Sequence, residues 1–572
     1  MKSFSGISSQ TSTIDSLVAD IITIDVKKYG AKGDGITDDS GIIKGIVSSL
    51  NSSAGGTIFF PTGTYVFSTQ ILIQNINNIR IRTEKGVVLK KQAKFPTDMP
   101  YGIFEFLDCT GVHVDEVIFE GITTSATDVV WNDNGVNVHS CSNVIISKCF
   151  FKDFGDNAIE VCSEYNPSLP VSVNSSYIMI NNNTFTNVSK AITTTPGGSE
   201  DVIVSQNISY DIKGYGIRFY TDIPSISRII ITDNIIKNSI GSGIGIDSCS
   251  NVIVSNNVVE NTKEEGILLE SNGAAITNGH TFANVKLHDN IVRNCGNGIL
   301  VMNNVYNNGD NRLVQNVEIV GNFIENTVGV SNTADHGAIV VSQNQIKNLK
   351  IVSNTINGSA DCGIYIGMYV TNLADSDEIR INDNYINNCT NDLIKIERYA
   401  STRNYKDIEI ARNKCIGSSF DIYDCDDLTI SDNSINSSKL SGVTIRNSVY
   451  ARNNYFHSSN DGFQFYNSNG LNLSNNYFEA LTNALALLGS CKNMIEVNNV
   501  YVGPTVLTGT FNTKIGINGN SIAFGNAIPS AGSYKKGDIV YNSNPASGKY
   551  IGFVCITSGT PGIWKGFGII QT

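Results

Sequence analysis

Charge is scarce in this chain. Lys, Arg, Asp and Glu make up 16% of its 572 residues, against about 25% in an average soluble domain. Basic residues are outnumbered, 40 Lys and Arg to 52 Asp and Glu, for a net charge of −12. That balance argues against a nucleic-acid partner, because a phosphate backbone is held by Lys and Arg. It leaves room for a local basic groove on an acidic body. Proline is rare (11 residues), but aromatic residues at 9% argue against disorder. No apolar run approaches the length of a membrane span, so no membrane insertion is expected. The opening MKSFSGISSQTSTIDSL lacks an apolar core and is not a conventional signal peptide. There is no CxxC pair, which speaks against a zinc site, and His113, His139, His280, His288, His336 and His457 are scattered without ligand spacing. No metal or other cofactor is therefore expected. The twelve cysteines are read as reduced, small buried hydrophobes.

Asparagine fills the gap that charge leaves. A short pattern recurs, with alternating apolar residues, Asn, then another apolar pair: VSQNIS, ITDNII, VSNNVV, LHDNIV, IVSNTI, LSNNYF. The repeated Asn falls at 183, 207, 234, 257, 290, 322, 354, 384, 413, 433, 454 and 476. A period of 20 to 33 residues built from short β-branched segments means a solenoid of strands rather than helices. At a tight corner each Asn amide can bond its counterpart one coil on, about 4.8 Å away. Asn also tolerates the left-handed conformation that a sharp bend needs. A second apolar segment follows in each coil, as in GIRFY, GIGID, GILLE and GILVM. These features predict an all-β fold, a parallel β-helix of at least twelve coils over roughly residues 55–500.

The N-terminal run IDVKKYGAKGDGITDDSGIIKGIVSSL…GGTIFFPTGTYVFS (24–68) closely resembles the start of pectate-lyase-superfamily right-handed β-helix proteins. That family includes polysaccharide hydrolases, lyases, epimerases and many phage tailspike depolymerases. The resemblance implies a right-handed coil, a glycan substrate, and, for tailspikes, a homotrimer on a virion beside other phage tail proteins. The C-terminal run GSYKKGDIVYNSNPASGKYIGFVCITSGTPGIWKG (532–566) resembles a small β module that ends tailspikes. The chain then divides into an arm (1–23), the capped β-helix (24–500), a linker (501–530) and a C-terminal β module (531–572). Ile42, Ile43, Ile46, Val47 and Leu50 share one face of a capping helix over 39–50, with Thr37, Asp38 and Asp39 as candidate N-caps. YGAKGDGITDDS (29–40) lacks both the Gly-Lys-Ser/Thr ending of a phosphate loop and calcium-loop spacing, so it reads as structural.

Residues at one strand position of such a coil stack in a column. Three residues beyond the first apolar residue of the second segment stand Tyr220, Asp247, Glu270, Met302 and Ser342. Asp247 and Glu270 would be neighbours about 5 Å apart, a spacing that suits the two carboxylates of a retaining glycosidase. Their mutual repulsion would raise one pKa and supply the acid. Two solvated acids at strand ends are the plainer alternative. The coils lengthen just after Glu270, and long loops on one edge commonly carry function. They bring Tyr306, Tyr369, Tyr399 and Tyr405 for stacking on sugars, and Arg312 and Arg403 for acidic groups.

A second candidate, WNDNGVNVHSCSNVIISKCFFKDFGDNAIEV (131–161), resembles the polygalacturonase-type pair Asn-Thr-Asp-Gly and Gly-Asp-Asp. Asn134 and Asn157 replace two of its carboxylates and Asp156 keeps one. The family's Gly-His-Gly is absent, Lys190 stands near the histidine's place, and Arg218 matches its Arg-Ile-Lys arginine. Asp156, Glu160, Lys190 and Arg218 together suit β-elimination, with a base for the proton beside a uronate and cations for the resulting anion. A structural remnant is the alternative. Asp222 could join either group, and Asp335-His336 is a further candidate base.

The combined expectation is an endo-acting glycoside hydrolase of bacterial capsular or extracellular polysaccharide, located on a virion or outside the cell. Asp247, Glu270 and Asp156 are its candidate catalytic residues. Glu160, Lys190, Arg218, Tyr220, Asp222, Tyr306 and Tyr369 are its candidate substrate contacts. A polysaccharide lyase and a non-catalytic glycan-binding or structural tail protein are the alternatives.

Overall fold

The computed structural model describes residues 22–571, apart from 51–54, 96–101, 124–129, 131–132, 163–173, 195–198, 220–225, 248, 273–280, 305–312, 330–336, 343–344, 369–374, 399–404, 418–419, 424, 438–440, 445–448, 459–460, 467, 469, 482, 489–493, 504, 508–521, 526 and 531–533. Two compact units are present, Met1–Ala374 with Tyr399–Ser401, and Asp375–Arg398 with Thr402–Thr572. None of the described helices is long and apolar enough to cross a membrane.

The first unit is a parallel β-helix in which each coil gives one strand to each of three sheets. Ser199–Ser205, Ile208–Ile212 and Ile217–Phe219 form one coil. Each pairs in parallel with its counterpart in the next, Ile226–Thr232, Ile235–Ser239 and Ile244–Asp247. Alternate side chains point inward, so β-branched residues such as Val202, Val204, Ile217 and Ile244 fill the interior at 0–1% exposure. In the early coils phenylalanines stack in register. The rings of Phe119 and Phe151 lie 4.8 Å apart and those of Phe151 and Phe185 5.2 Å apart, nearly coplanar.

The asparagines do what their spacing predicts. Asn183 Nδ2 donates to Asn207 Oδ1 at 3.1 Å, and the chain continues through Asn234, Asn257, Asn290, Asn322 and Asn354 at 2.9–3.0 Å. The second unit, again of parallel coils, repeats it from Asn384 through Asn413, Asn433, Asn454 and Asn476 to Asn499. Each amide also reaches a backbone carbonyl, as Asn257 does to Ile231 at 2.9 Å. The left-handed conformation sits elsewhere than expected. It falls on the residue before each ladder Asn, such as Asp233, Asn256 and Asp289 with φ of 56–59°. The ladder amide must point inward to stack, so its neighbour takes the bend.

The helix Ser40–Leu50 buries Ile43, Ile46, Val47 and Leu50, while Ile42 is 36% exposed. The carboxylates of GDGITDD are consumed by their own turn. Asp34 accepts from Ile36 N and Thr37 N, and Asp38 from Ser40 N and Ser68 Oγ. Asp39, 1% exposed, accepts from Lys32 N and Gly33 N at 2.6 and 3.1 Å. Gly33, at φ 58°, leaves no room for a Cβ, which would stand 2.8 Å from the Tyr65 ring.

In the second unit the C-terminal strands Ile539–Asn542, Tyr550–Thr557 and Ile563–Ile569 form an antiparallel sheet over Val540, Cys555 and Trp564. Ile522–Gly525, within the expected linker, adds a parallel strand to it. The ten described cysteines that are free are all buried.

Candidate functional site

The third sheet of the first unit brings candidate residues together. Its strands pair so that Asp247, Glu270, Met302 and Ser342 lie in one column. Two residues earlier lies a second column on the same face: Glu105, Asn137, Glu160, Thr193, Arg218, Gly245, Leu268 and Leu300. Asp247 and Glu270 are thus strand neighbours, about 4.8 Å apart at the backbone.

Arg218 joins them. Its Nη2 lies 2.7 Å from Asp247 Oδ1 and 3.0 Å from Glu270 Oε2. Gly245 makes this reach possible, because a Cβ there would stand 2.6 Å from the guanidinium. Burial opposes a charge on Arg218, yet Asp247 and Glu270 hold it firmly protonated. The Tyr215 ring centroid lies 5.0 Å from the guanidinium carbon. The two acids are not equivalent, since the Asp247 side chain is 0% exposed and that of Glu270 12%. Glu270 can meet a ligand, whereas Asp247 holds Arg218.

The strand reading overlooked the corner before Ile267. Glu264 and Glu265 stand there, three and two residues ahead of the first interior isoleucine, as Asp156 and Asn157 stand ahead of Ile159. Burial, then the neighbouring Glu265, raises the Glu264 carboxyl above the ordinary range. Burial also raises Glu265, which is 7% exposed and accepts a hydrogen bond from Ser242 Oγ at 2.8 Å. The doublet Glu-Glu in NTKEEGILLE was the available signal.

The other candidates separate. Lys190 Nζ donates to Asp156 Oδ1 at 3.1 Å, forming a pair of its own. Glu160, 3% exposed, accepts from Asn134 Nδ2 at 2.7 Å. Tyr405 is fully buried. Tyr220, Asp222, Tyr306, Tyr369, Tyr399, Arg312, Arg403, Asp335 and His336 lie outside the described residues.

Two family models match the chain. One is described as "Right handed beta helix region", over residues 101–282 and 170–346. The other is "Rhamnogalacturonase A/epimerase, pectate lyase-like", over 23–98. The chain folds as a right-handed parallel β-helix, and its N-terminal residues match a pectate-lyase-like model. Among curated proteins, the β-helix chain is 24% identical over 163 residues to plasmin and fibronectin-binding protein A of Streptococcus pneumoniae, which covers 25% of it and 22% of that protein. It is 45% identical over 40 residues to alginate lyase 7 of Azotobacter vinelandii, 7% of this chain and 5% of that one. The β-helix chain thus spans under a quarter of the length of either relative. Among solved structures, endo-xylogalacturonan hydrolase from Aspergillus tubingensis is similar at 15% identity and TM-score 0.42, with 67% of this chain and 95% of that one covered. The surface adhesin PfbA of Streptococcus pneumoniae is similar at 14% and 0.40, covering 77% and 92%. None of these likenesses transfers an activity to this chain.

Proposed function

We propose that this protein is an endo-acting glycoside hydrolase of bacterial extracellular polysaccharide, with Glu270 and Glu264 as its reacting carboxyl groups. The observation that carries this reading is the Arg218 bridge between a buried Asp247 and a reachable Glu270. Beside it stands Glu264, whose carboxyl burial keeps protonated to higher pH than usual. Glycoside hydrolysis needs this inequality, one carboxylic acid to protonate the leaving oxygen and one carboxylate to face the anomeric carbon. Asp247 and Arg218 are positioning residues that hold Glu270 in place.

Charge separates hydrolysis from elimination. Around Arg218 stand four carboxyl groups, those of Asp247, Glu264, Glu265 and Glu270. A net acidic site stabilises the positive charge of an oxocarbenium-like transition state. It opposes the enolate-like anion of β-elimination, which needs uncompensated cations. Lys190, paired with Asp156, does not supply one.

The test is incubation with a panel of purified capsular and extracellular polysaccharides, following new reducing ends together with ultraviolet absorbance from unsaturated uronates. Reducing ends without absorbance, cut by roughly 10²-fold in Glu270→Gln, are expected. Absorbance would establish a lyase, and binding with neither signal would establish a glycan-binding protein. The tailspike resemblance adds a virion-borne homotrimer to the proposal, which light scattering on the full chain would reject by returning a monomer mass.

A further inference from the structure

The early coils carry a second constellation that the proposed hydrolysis does not use. His139 ends its strand in register with Cys162 on the next coil and Leu107 on the previous one. Its Nδ1 lies 2.6 Å from Cys162 Sγ, and its Nε2 lies 2.6 Å from Glu105 Oε1. Glu105 is fixed in turn, since its Oε2 accepts from Gly102 N at 3.1 Å and from Asn137 Nδ2 at 3.3 Å. All three side chains are at least 99% buried. A thiol, an imidazole and a carboxylate in hydrogen-bonded series form the arrangement that activates a sulfur nucleophile.

Ordinary packing does not ask for it. The other buried thiols mostly hydrogen-bond to backbone carbonyls, as Cys149 does to Ser147 O at 3.2 Å, and burial pushes the Cys149 thiol up to about 12. Burial likewise pushes Cys415 up. At Cys162 the carboxylate of Glu105 compensates the imidazolium that forms when His139 takes the thiol proton. Burial opposes that charge, yet Cys162 and Glu105 on either side hold His139 well above its ordinary value. Burial also lifts the Cys162 thiol above its ordinary value, but there the His139 imidazole works against it, a counterweight that Cys415 lacks.

We propose that Cys162 is an oxidant-reactive thiol, set up by His139 and Glu105 to be modified by a small, uncharged peroxide. His139 takes the Sγ proton and the thiolate attacks a peroxide oxygen. The S–O bond forms as the O–O bond breaks, and the departing hydroxide recovers the proton from His139 as water. Sulfur is oxidised to a sulfenic acid and one peroxide is reduced to water. The modified sulfur lies next to a network that continues from Asn137 through Asn134 to Glu160. This site is independent of the hydrolase reading, because its readout is chemical labelling.

The experiment treats the folded full chain with hydrogen peroxide, removes the oxidant, unfolds the chain in dimedone and maps adducts by peptide mass spectrometry. Cys162 is expected to label about tenfold faster than Cys149 and Cys415, the difference that one unit of thiol pKa makes in thiolate fraction near neutral pH. The excess should vanish in His139→Gln and shrink in Glu105→Gln. Equal labelling of the three cysteines, absence of label at Cys162, or labelling indifferent to His139→Gln in a folded variant overturns the proposal. Should His139→Gln not fold, the pH profile of the wild-type protein decides. A Cys162 rate that rises over the same pH range as those of Cys149 and Cys415 overturns it, whereas a rate that rises at lower pH than theirs supports it.

Discussion

Two columns run along the first unit, and they obey opposite rules. At the corner before the second sheet the coils from Asn183 onward repeat one residue, and Asn183 through Asn354 form a buried amide ladder. On the third sheet no residue stands on two successive coils between Glu105 and Leu268. The column passes from carboxylate and amide through Thr193 and Arg218 to a buried apolar cluster of Leu268, Leu300, Val340 and Tyr365. Repetition solves one packing problem many times, whereas variation at a fixed register position means that something other than the coil sets the residue. Arg218 stands where that column changes from polar to apolar, and there an ion pair is least screened.

If the ladder is structural, breaking one rung should have the largest effect on stability. Asn257 is 0% exposed, donates to Ile231 O and Asn290 Oδ1, and accepts from Asn234 N and Nδ2. Asn257→Leu keeps the branched shape and strands those partners, at a cost of about 4 kcal/mol. Chemical denaturation should show it, and a loss under about 1 kcal/mol would mean that the ladder only decorates the coil.

The variable column is expected to be expensive in a different way. Arg218→Met leaves Asp247 a buried, uncompensated carboxylate, a loss of about 3 kcal/mol. The double variant Arg218→Met/Asp247→Leu should regain most of it while remaining inactive. Recovery of stability without recovery of activity distinguishes a group kept for chemistry from one kept for folding.

A third test concerns acid strength. Burial and Glu265 raise the Glu264 carboxyl, so the proposed donor keeps its proton to higher pH than an ordinary carboxyl and activity should fall as pH rises through its raised pKa. In Glu264→Gln that alkaline limb should vanish together with roughly 10²-fold of kcat/KM, about 2.7 kcal/mol. A limb unchanged in the variant assigns the acid elsewhere.

These contrasts explain what could be read from the residues. The ladder was legible because its chemistry recurs in sequence at every coil. The Asp247–Glu270 register was legible because both residues sit three positions beyond an interior isoleucine. Arg218 was named, but its grip on both acids depends on the space left by Gly245, which no spacing rule encodes. With that cation between the acids, their mutual repulsion is not what supplies a proton donor. Glu264 and Glu265 were passed over because alternation describes strand interiors, not corners. Glu105, His139 and Cys162 meet across coils, 34 and 23 residues apart, so nothing local announces them.

The smallest effect sharpens the comparison most. A second ladder lies on the surface, where Asn294 donates to Asn261 at 3.0 Å and Asn326 to Asn294 at 3.4 Å. Its members hold φ of 53–60°, so here the stacked amides are themselves the left-handed residues. The side-chain chemistry matches that of the buried ladder, but water can replace each partner. Asn294→Gly keeps the backbone conformation and removes only the side-chain bonds, so the loss should stay below about 0.5 kcal/mol. Asn294→Ala should cost about 1 kcal/mol more, because it also strains the left-handed bend. If Asn294→Gly costs as much as Asn257→Leu, solvent exclusion is not what gives the buried ladder its strength, and stacking alone would have to account for both.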